Sequence, residues 1–422
     1  MLTARFRMKG IAIFATATLA LAMTATPTLA SGGFYVPAPD KGAVKQIKDL
    51  VKQGDSSDLN DAALLTAMVS EGHAVWFTGG TPGNVLGQVR QTMMLAKVQN
   101  TVPVLVAYNI PGRDCSQYSA GGALDAASYA AWIDGFAKGI GTGEAIVILE
   151  PDGLGLLPSG CSPPSTVFTN ADRYAELNAA VDRLELQPQV SVYLDGTHSN
   201  WLGVGDISQR LVNAGVERAQ GFFLNVSNYE LTSNLARYGS WISKCLWFGS
   251  STSGSWGKGH YDYCASQYYS GAAPNDGQPG NSVSPSDPST WHWTDLWYAN
   301  NVENQTWVPY PGDAGLTHFV IDTSRNGLGP WTPPAGKYSS GDPQTWCNPP
   351  GRGVGDRPTA NTGVPLIDAY LWVKVPGESD GSCTRSTGGT IDPEWGIVDP
   401  AAGQWFPHMA LQLAQLADPP LH

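Results

Sequence analysis

The stretch "VPVLVAYNIPGRDCSQYSAGG", residues 102–122, sets the reading of the whole chain. It begins as an apolar run rich in valine. It then breaks at Pro111–Gly112 into Arg113, Asp114 and Cys115. A short apolar run bounded by turn residues predicts a strand buried on both faces. Six other runs repeat the pattern of apolar body and polar end. They are "AVWF" (74–77), "AIVILEPD" (145–152), "VSVYLD" (190–195), "GFFLNVSNY" (221–229), "HFVIDTSRNG" (318–327) and "AYLWVKVPGESDG" (369–381).

Helical patterns alternate with these runs. "DAASYAAWIDGFAKGIG" places Tyr129, Ile133, Phe136 and Ile140 on one face. "NADRYAELNAAVDRLEL" does the same with Tyr174, Leu177, Val181 and Leu184. Alternating strand and helix predicts an α/β fold with parallel strands, a distorted TIM-like barrel of about seven strands in a single domain. In such barrels the carboxyl ends of the strands build the functional site, and the polar punctuation falls there each time.

The chain has 422 residues. Residues 1–30 read as a signal peptide: Arg5, Arg7 and Lys9, the apolar run "IAIFATATLALAM", and a small-residue cleavage site ending at Ala30. That run is shorter than the roughly 20 residues of a membrane span. The expected product is a secreted, monomeric domain over 31–422. Its formal charge moves from −12 to −15 once the three leader cations are gone. An acidic surface disfavours nucleic acid and anionic membranes as partners. Only 14% of residues are charged, while Gly, Trp and Tyr are abundant, which suits a rigid aromatic surface for neutral polar ligands.

Six cysteines, Cys115, Cys161, Cys245, Cys264, Cys347 and Cys383, make an even set in an exported chain. Three disulfides are expected, although sequence alone leaves 15 pairings open. None lies in a zinc-ligand spacing, and neither metal nor cofactor is expected. Residues 245–312 break the strand–helix rhythm with Gly, Ser, Pro and aromatics. They predict a long ordered insertion, with a Cys245–Cys264 staple as one possibility. Trp and Tyr are too frequent there for a flexible linker.

Carboxylates stand at several strand ends: Asp114, Glu150 with Asp152, Asp195, and Glu378 with Asp380. Such groups suit acid–base work on a neutral substrate, although capping and ion pairing also place Asp at loops. No G-x-S-x-G elbow supports a serine nucleophile, and no EF-hand spacing supports calcium.

"VAYNIPGRDCSQYSAGG" together with "AIVILEPDGLG" resembles glycoside hydrolase family 6, the inverting β-1,4-glucanases. "YLDGTHSNWLG", "WCNPPGRG" and "LWVKVPGESDG" follow in the family's order, and the resemblance spans about residues 50–417. It implies Asp152 as general acid, Asp114 as the second carboxylate that holds up the acid's pKa, and Asp380 as a candidate base. It implies Tyr108 against a distorted sugar and Asp195 beside the substrate. Lys374, Glu378, His198 and Asn225 become sugar-binding candidates. Trp76, Trp201 and Trp346 become stacking platforms. Arg113 and Arg325 are expected to hold neighbouring carboxylates ionised. The family pattern implies Cys115–Cys161 and Cys347–Cys383.

The expected activity is hydrolysis of β-1,4-glucosidic bonds in cellulose and related β-glucans, by internal cutting. The alternatives are a cellobiohydrolase acting from chain ends and a non-catalytic glucan-binding protein. Several features bear on that choice. Val204 stands where chain-end enzymes tend to carry a further Trp, and the segment after Asp114 is short. Both predict an open cleft. The long segment after Asp380 and the long 245–312 insertion point the other way.

Overall fold

The computed structural model describes residues 33–250, 253–268, 282–338 and 341–422. The expected signal peptide and residues 269–281 of the insertion lie outside the described residues. Seven strands form one sheet: β1 (Val75–Phe77), β2 (Val104–Ala107), β3 (Ala145–Leu149), β4 (Val190–Asp195), β5 (Gly221–Leu224), β6 (His318–Asp322) and β7 (Ile367–Leu371). They are hydrogen-bonded in chain order. Every pairing is parallel. All seven sequence-predicted strands are present.

Helices fill the crossovers: α3 (Pro82–Gln99), α4 (Ala126–Ile140), α5 (Asn170–Leu184), α6 (Val204–Asn213), and α7 (Thr232–Gly249) followed by α8 (His292–Tyr298). Their starts are written locally. Thr81 and Asn84 form a capping box before Pro82, and Thr169 and Asp172 form another ahead of α5. Asp125 caps α4 through the Ser128 N–H.

Strand residues divide by the period of two. Val104, Val106, Ile146, Ile148, Tyr193, Phe223, Val320 and Leu371 share one core inside the curl of the sheet. Their alternates Leu105, Val147, Leu149, Val192, Leu194, Phe222 and Ile321 pack outward with Trp132, Phe136, Val181 and Trp241 of the helices. The expectation of burial on both faces holds for β2 to β6, whereas β1 and β7 are partly open. Those two strands flank a seam with no ladder. The Ala74 N–H donates to Trp372 O at 2.9 Å, and the Trp76 indole N–H to Val373 O at 2.8 Å. A third core covers the seam. It joins α1 (Lys41–Gln53), α2 (Ser56–Val69) and α9 (Pro407–Gln415) through Leu65, Met68, Trp372, Trp405, Phe406 and Leu413.

Three disulfides are present: Cys115–Cys161, Cys245–Cys264 and Cys347–Cys383. Cys245 sits inside α7, so the insertion begins after Gly249, five residues later than the composition change suggested. Trp291, Trp297 and Tyr298 bury its second half against Trp241 and Phe248.

Candidate active site

The strand ends carry two kinds of carboxylate. The first kind binds loops. Glu150, fully buried after β3, accepts the N–H groups of Asn109 and Ile110 at 2.9–3.0 Å. Asp195, closing β4, accepts from Leu154 at 3.1 Å, Gly155 at 3.0 Å and Thr197 at 2.8 Å. Asp322, closing β6, accepts from Ser227 on one side and from Val373 and Lys374 on the other. Each fixes the loop of an adjacent strand. Burial nevertheless pushes Glu150 up to about 7.

Asp152 differs. Among the described residues nothing hydrogen-bonds its carboxyl, and it stays half-buried and reachable. Burial raises its pKa well above the usual carboxylate range, and the charges of Asp195, Asp114 and Asp380 raise it further. Its backbone is left-handed at φ 63°, as is that of Glu150 at 52°. Non-glycine residues held there store strain, a feature concentrated at working sites.

Asp114 follows the opening stretch. Its carboxyl accepts the Ser119 N–H at 2.6 Å. Burial raises its pKa, opposed by that bond and by the Arg113 charge. Arg113, expected to hold a neighbouring carboxylate ionised, opposes the burial of Asp114 through its charge but makes no ion pair with a carboxylate among the described residues. Its guanidinium donates to the carbonyls of Thr78 at 2.7 Å, Ser119 at 2.9 Å and Tyr108, and it lies 4.5 Å over the Tyr108 ring. Its main work is to tie the 113–122 loop to β1 and β2. Gly122, at φ 103°, lets this loop turn so close to Ile110 that a Cβ would fall 2.0 Å from its carbonyl oxygen.

Asp380 is buried and fully engaged. Arg325 donates to it at 2.9 Å, the Asn348 N–H at 3.0 Å and the Tyr229 hydroxyl at 3.3 Å, while the Lys374 ammonium lies at 3.6 Å. Burial would raise its pKa, but Arg325 and Lys374 overcome that and hold it below the ordinary range. Arg325 is thus placed to hold Asp380 in its ionised form. Lys374 also donates to Ser379 O at 3.0 Å. Glu378, between these groups, is pushed up to about 7 by burial against the Lys374 charge.

Aromatics flank the carboxylates on two sides. Trp76 meets Tyr108 edge-to-face at 5.5 Å. Across the strand row, Trp201 lies 5.6 Å from His198 and packs on Gly155, where a Cβ would fall 2.3 Å from the indole. Trp346 is half-buried, 6.1 Å from Tyr118.

Three expectations change. Val204 is fully buried in the core at the start of α6, so its side chain says nothing about the cleft wall. Asn225 is also fully buried. Its amide donates to Asp322 O, and its oxygen accepts from the Glu230 N–H, so it shapes the β5 turn out of reach of a sugar. The segment after Asp114 does not leave an isolated low wall. The Tyr118 hydroxyl accepts from the Gln344 amide at 3.1 Å, and its Cβ lies against Gly381. The β2 loop therefore touches the loops before and after β7.

Sequence reading passed over Asn348, whose amide binds Ser379, Gly381 and Asp399 while its backbone N–H holds Asp380. The available signal was the "CNPPG" turn, because Asn tolerates the left-handed backbone found there at φ 41°. A cavity of about 500 Å³ lies behind the Arg113 loop, between Thr78, Asn109, Gly122 and Trp132, and none of the candidate carboxylates lines it.

The chain is 32% identical to endoglucanase A of Cellulomonas fimi over 92% of its own length and 62% of that protein's. It is 31% identical to endoglucanase 1 of Streptomyces halstedii, covering 93% of this chain and 91% of the relative. Among solved structures it resembles the endoglucanase Cel6 of Mycobacterium tuberculosis, in complex with a methyl-cellobiosyl-thio-cellobioside. That match has a TM-score of 0.63 and 29% identity over 93% of this chain and 99% of the other. The family profile "Glycosyl hydrolases family 6" matches residues 30–417, and the chain belongs to that family.

Proposed function

We propose that this chain is a secreted, inverting β-1,4-glucanase that cuts cellulose and related glucans internally. The observation that carries the reading is Asp152: half-open, without a hydrogen-bond partner for its carboxyl among the described residues, and with its pKa raised well above the usual carboxylate range by burial and three neighbouring carboxylates. A leaving sugar oxygen needs such a proton donor. As the bond from the anomeric carbon to that oxygen breaks, the oxygen takes the Asp152 proton. A water adds to the anomeric carbon from the opposite face and gives its proton to Asp380, the carboxylate held ionised and the candidate base. Asp380, held ionised, stabilises the positive charge that develops on the ring. Asp114 keeps the Asp152 proton in place.

The similarity to two bacterial endoglucanases and to a structure bound to a cello-oligosaccharide analogue supports a glucan substrate. Three disulfides and the N-terminal leader support export. NMR of the first-formed sugar tests the stereochemistry. The α-anomer is expected, and an initial β-anomer overturns inversion.

The Tyr118 contact with Gln344 and Gly381 favours a second reading, a roofed cleft entered from a chain end. Viscosity of a soluble substituted cellulose, followed beside released reducing ends, separates the two. Internal cutting collapses viscosity while few ends appear. Slow viscosity loss with cellobiose as the main early product selects the chain-end reading.

A further inference from the structure

One buried carboxyl in the cleft wall has no part in the chemistry above. Glu230 lies just past β5. Its N–H donates to Asn225 Oδ1 at 3.0 Å, and its carbonyl accepts from the Asn326 amide at 2.9 Å, so both backbone groups are fixed. Its carboxyl ends 3.9 Å from Nδ1 of His198, and the two side chains keep only 10% and 15% of their surface open. That Nδ1 accepts the Asn200 N–H at 3.3 Å, so the proton of the neutral ring sits on Nε2. Burial holds the His198 pKa at about 4, which keeps the ring neutral. Beyond the Asn200 amide, which hydrogen-bonds it, the Glu230 carboxyl faces no Lys or Arg within ion-pair distance among the described residues.

A buried carboxyl without a cation is costly unless hydrogen-bond donors complete its shell. Its neighbours locate those donors. His198 stands beside Trp201, and Trp201 rests on Gly155, three residues past Asp152. A sugar diol carries such donors, and Trp201 is the aromatic face beside His198. We propose that Glu230 is a specificity-determining residue: with Nε2–H of His198 it grips the hydroxyls of the sugar unit stacked on Trp201. This rests on the glucanase reading. It makes the Trp201 side a polar-edged binding position in which both donors and acceptors of a sugar diol are matched.

The test is steady-state kinetics and product pattern on end-labelled cellohexaose, for wild type, Glu230→Leu and Glu230→Gln. Burial pushes the Glu230 carboxyl up to about 7, and hydrogen bonds to such a group are worth up to about tenfold in affinity. Glu230→Leu is expected to raise KM by about tenfold with kcat within about twofold. It is also expected to move the preferred cleavage point, so that fewer sugar units occupy the Trp201 side. Glu230→Gln keeps the volume and one acceptor, and should raise KM about threefold with the same direction of shift. A merely structural role would lower thermal stability and leave the cleavage pattern unmoved. Folded variants with wild-type KM and pattern overturn the proposal. If only the Gln variant folds, its unchanged KM and pattern do the same. Wild-type protein that fails to cut cellohexaose at all sinks the glucanase reading instead.

Discussion

Replacing Arg325 by Gln removes one cation and exposes how the site divides its charges. Arg325 is fully buried, donates to Asp380 at 2.9 Å and to Ser227 O, and lies 4.4 Å over the Tyr229 ring. Breaking a buried ion pair from one side costs about 3–5 kcal/mol, because the partner charge stays buried. Unfolding entropy of about 2.1 cal/mol/K per residue, over about 390 residues, converts that to a fall of roughly 4–6 °C in Tm.

The pH response follows from the sign of the Asp380 shift. Its folded pKa lies below the ordinary value, so its stabilising contribution is complete above the unfolded carboxyl pKa. That contribution is lost as pH falls through the folded pKa. Without Arg325 only the Lys374 ammonium, at 3.6 Å, and the hydrogen bonds from Asn348 and Tyr229 oppose burial, and the Asp380 pKa rises. The acid limb of kcat/KM on a soluble glucan should then move to higher pH, with the alkaline limb, set by Asp152, displaced less. Differential scanning calorimetry and a pH–rate series measure both effects. A variant with an unmoved acid limb and a Tm within about 1 °C of wild type would refute the argument.

Asp152→Asn should lower hydrolysis by about 10²–10⁴ while cello-oligosaccharide binding by calorimetry persists; near-normal turnover of an unactivated glucan contradicts the acid role. Asp114→Asn removes one of the charges that raise the Asp152 pKa, so the alkaline limb of the pH profile should move to lower pH; an upward move contradicts the coupling. Asn348→Ala deletes the amide bonds to Ser379, Gly381 and Asp399 and should cost about 2–4 kcal/mol, read by denaturant titration, with kcat reduced more than KM is raised. Exchanging Cys115 and Cys161 for Ser opens a loop of 46 residues and should cost about 4 kcal/mol. Activity in that variant should fade on warming before far-UV circular dichroism changes, since the bridge ties the Asp114 loop and the core strands do not depend on it.

Much of this architecture was legible because the strands are short apolar runs with nowhere else to go. Leu105, Val147 and Phe222 are buried outward and Val106, Ile148 and Phe223 inward, so the pattern admits no amphipathic alternative. The strand ends were legible for the same reason: a carboxylate directly after such a run must stand at the rim. What the rim residues do there was harder to read. Asp195 and Asp152 both follow buried strands, yet one is spent on three backbone N–H groups and the other on none. The difference lies in φ and ψ of the turn, which no spacing rule encodes. Val204 and Trp201 are three apart, yet helix entry sends Val204 into the core. Tyr118 and Gln344 are 226 positions apart, and no local pattern announces their contact.

The charge layout explains why one carboxylate can hold a proton while its neighbour does not. Among the described residues two cations come within ion-pair distance of a candidate carboxylate of the site, Arg325 and Lys374, and both face Asp380. Arg113, the third candidate, is turned onto three carbonyls and the Tyr108 ring, leaving Asp114 with a single backbone donor and a distant charge. Asp195 is satisfied by backbone dipoles, which bring no net charge to cancel its field at Asp152. Asp152 therefore feels three negative neighbours, with no cation beside it among the described residues, and the cheapest relief is to keep its proton. Two carboxylates whose environments push their pKa values apart define a donor and a stabiliser. In this fold the separation follows where two arginines point, each on a loop anchored by a buried carboxylate: Glu150 holds Asn109 and Ile110 ahead of Arg113, and Asp322 holds Ser324 ahead of Arg325.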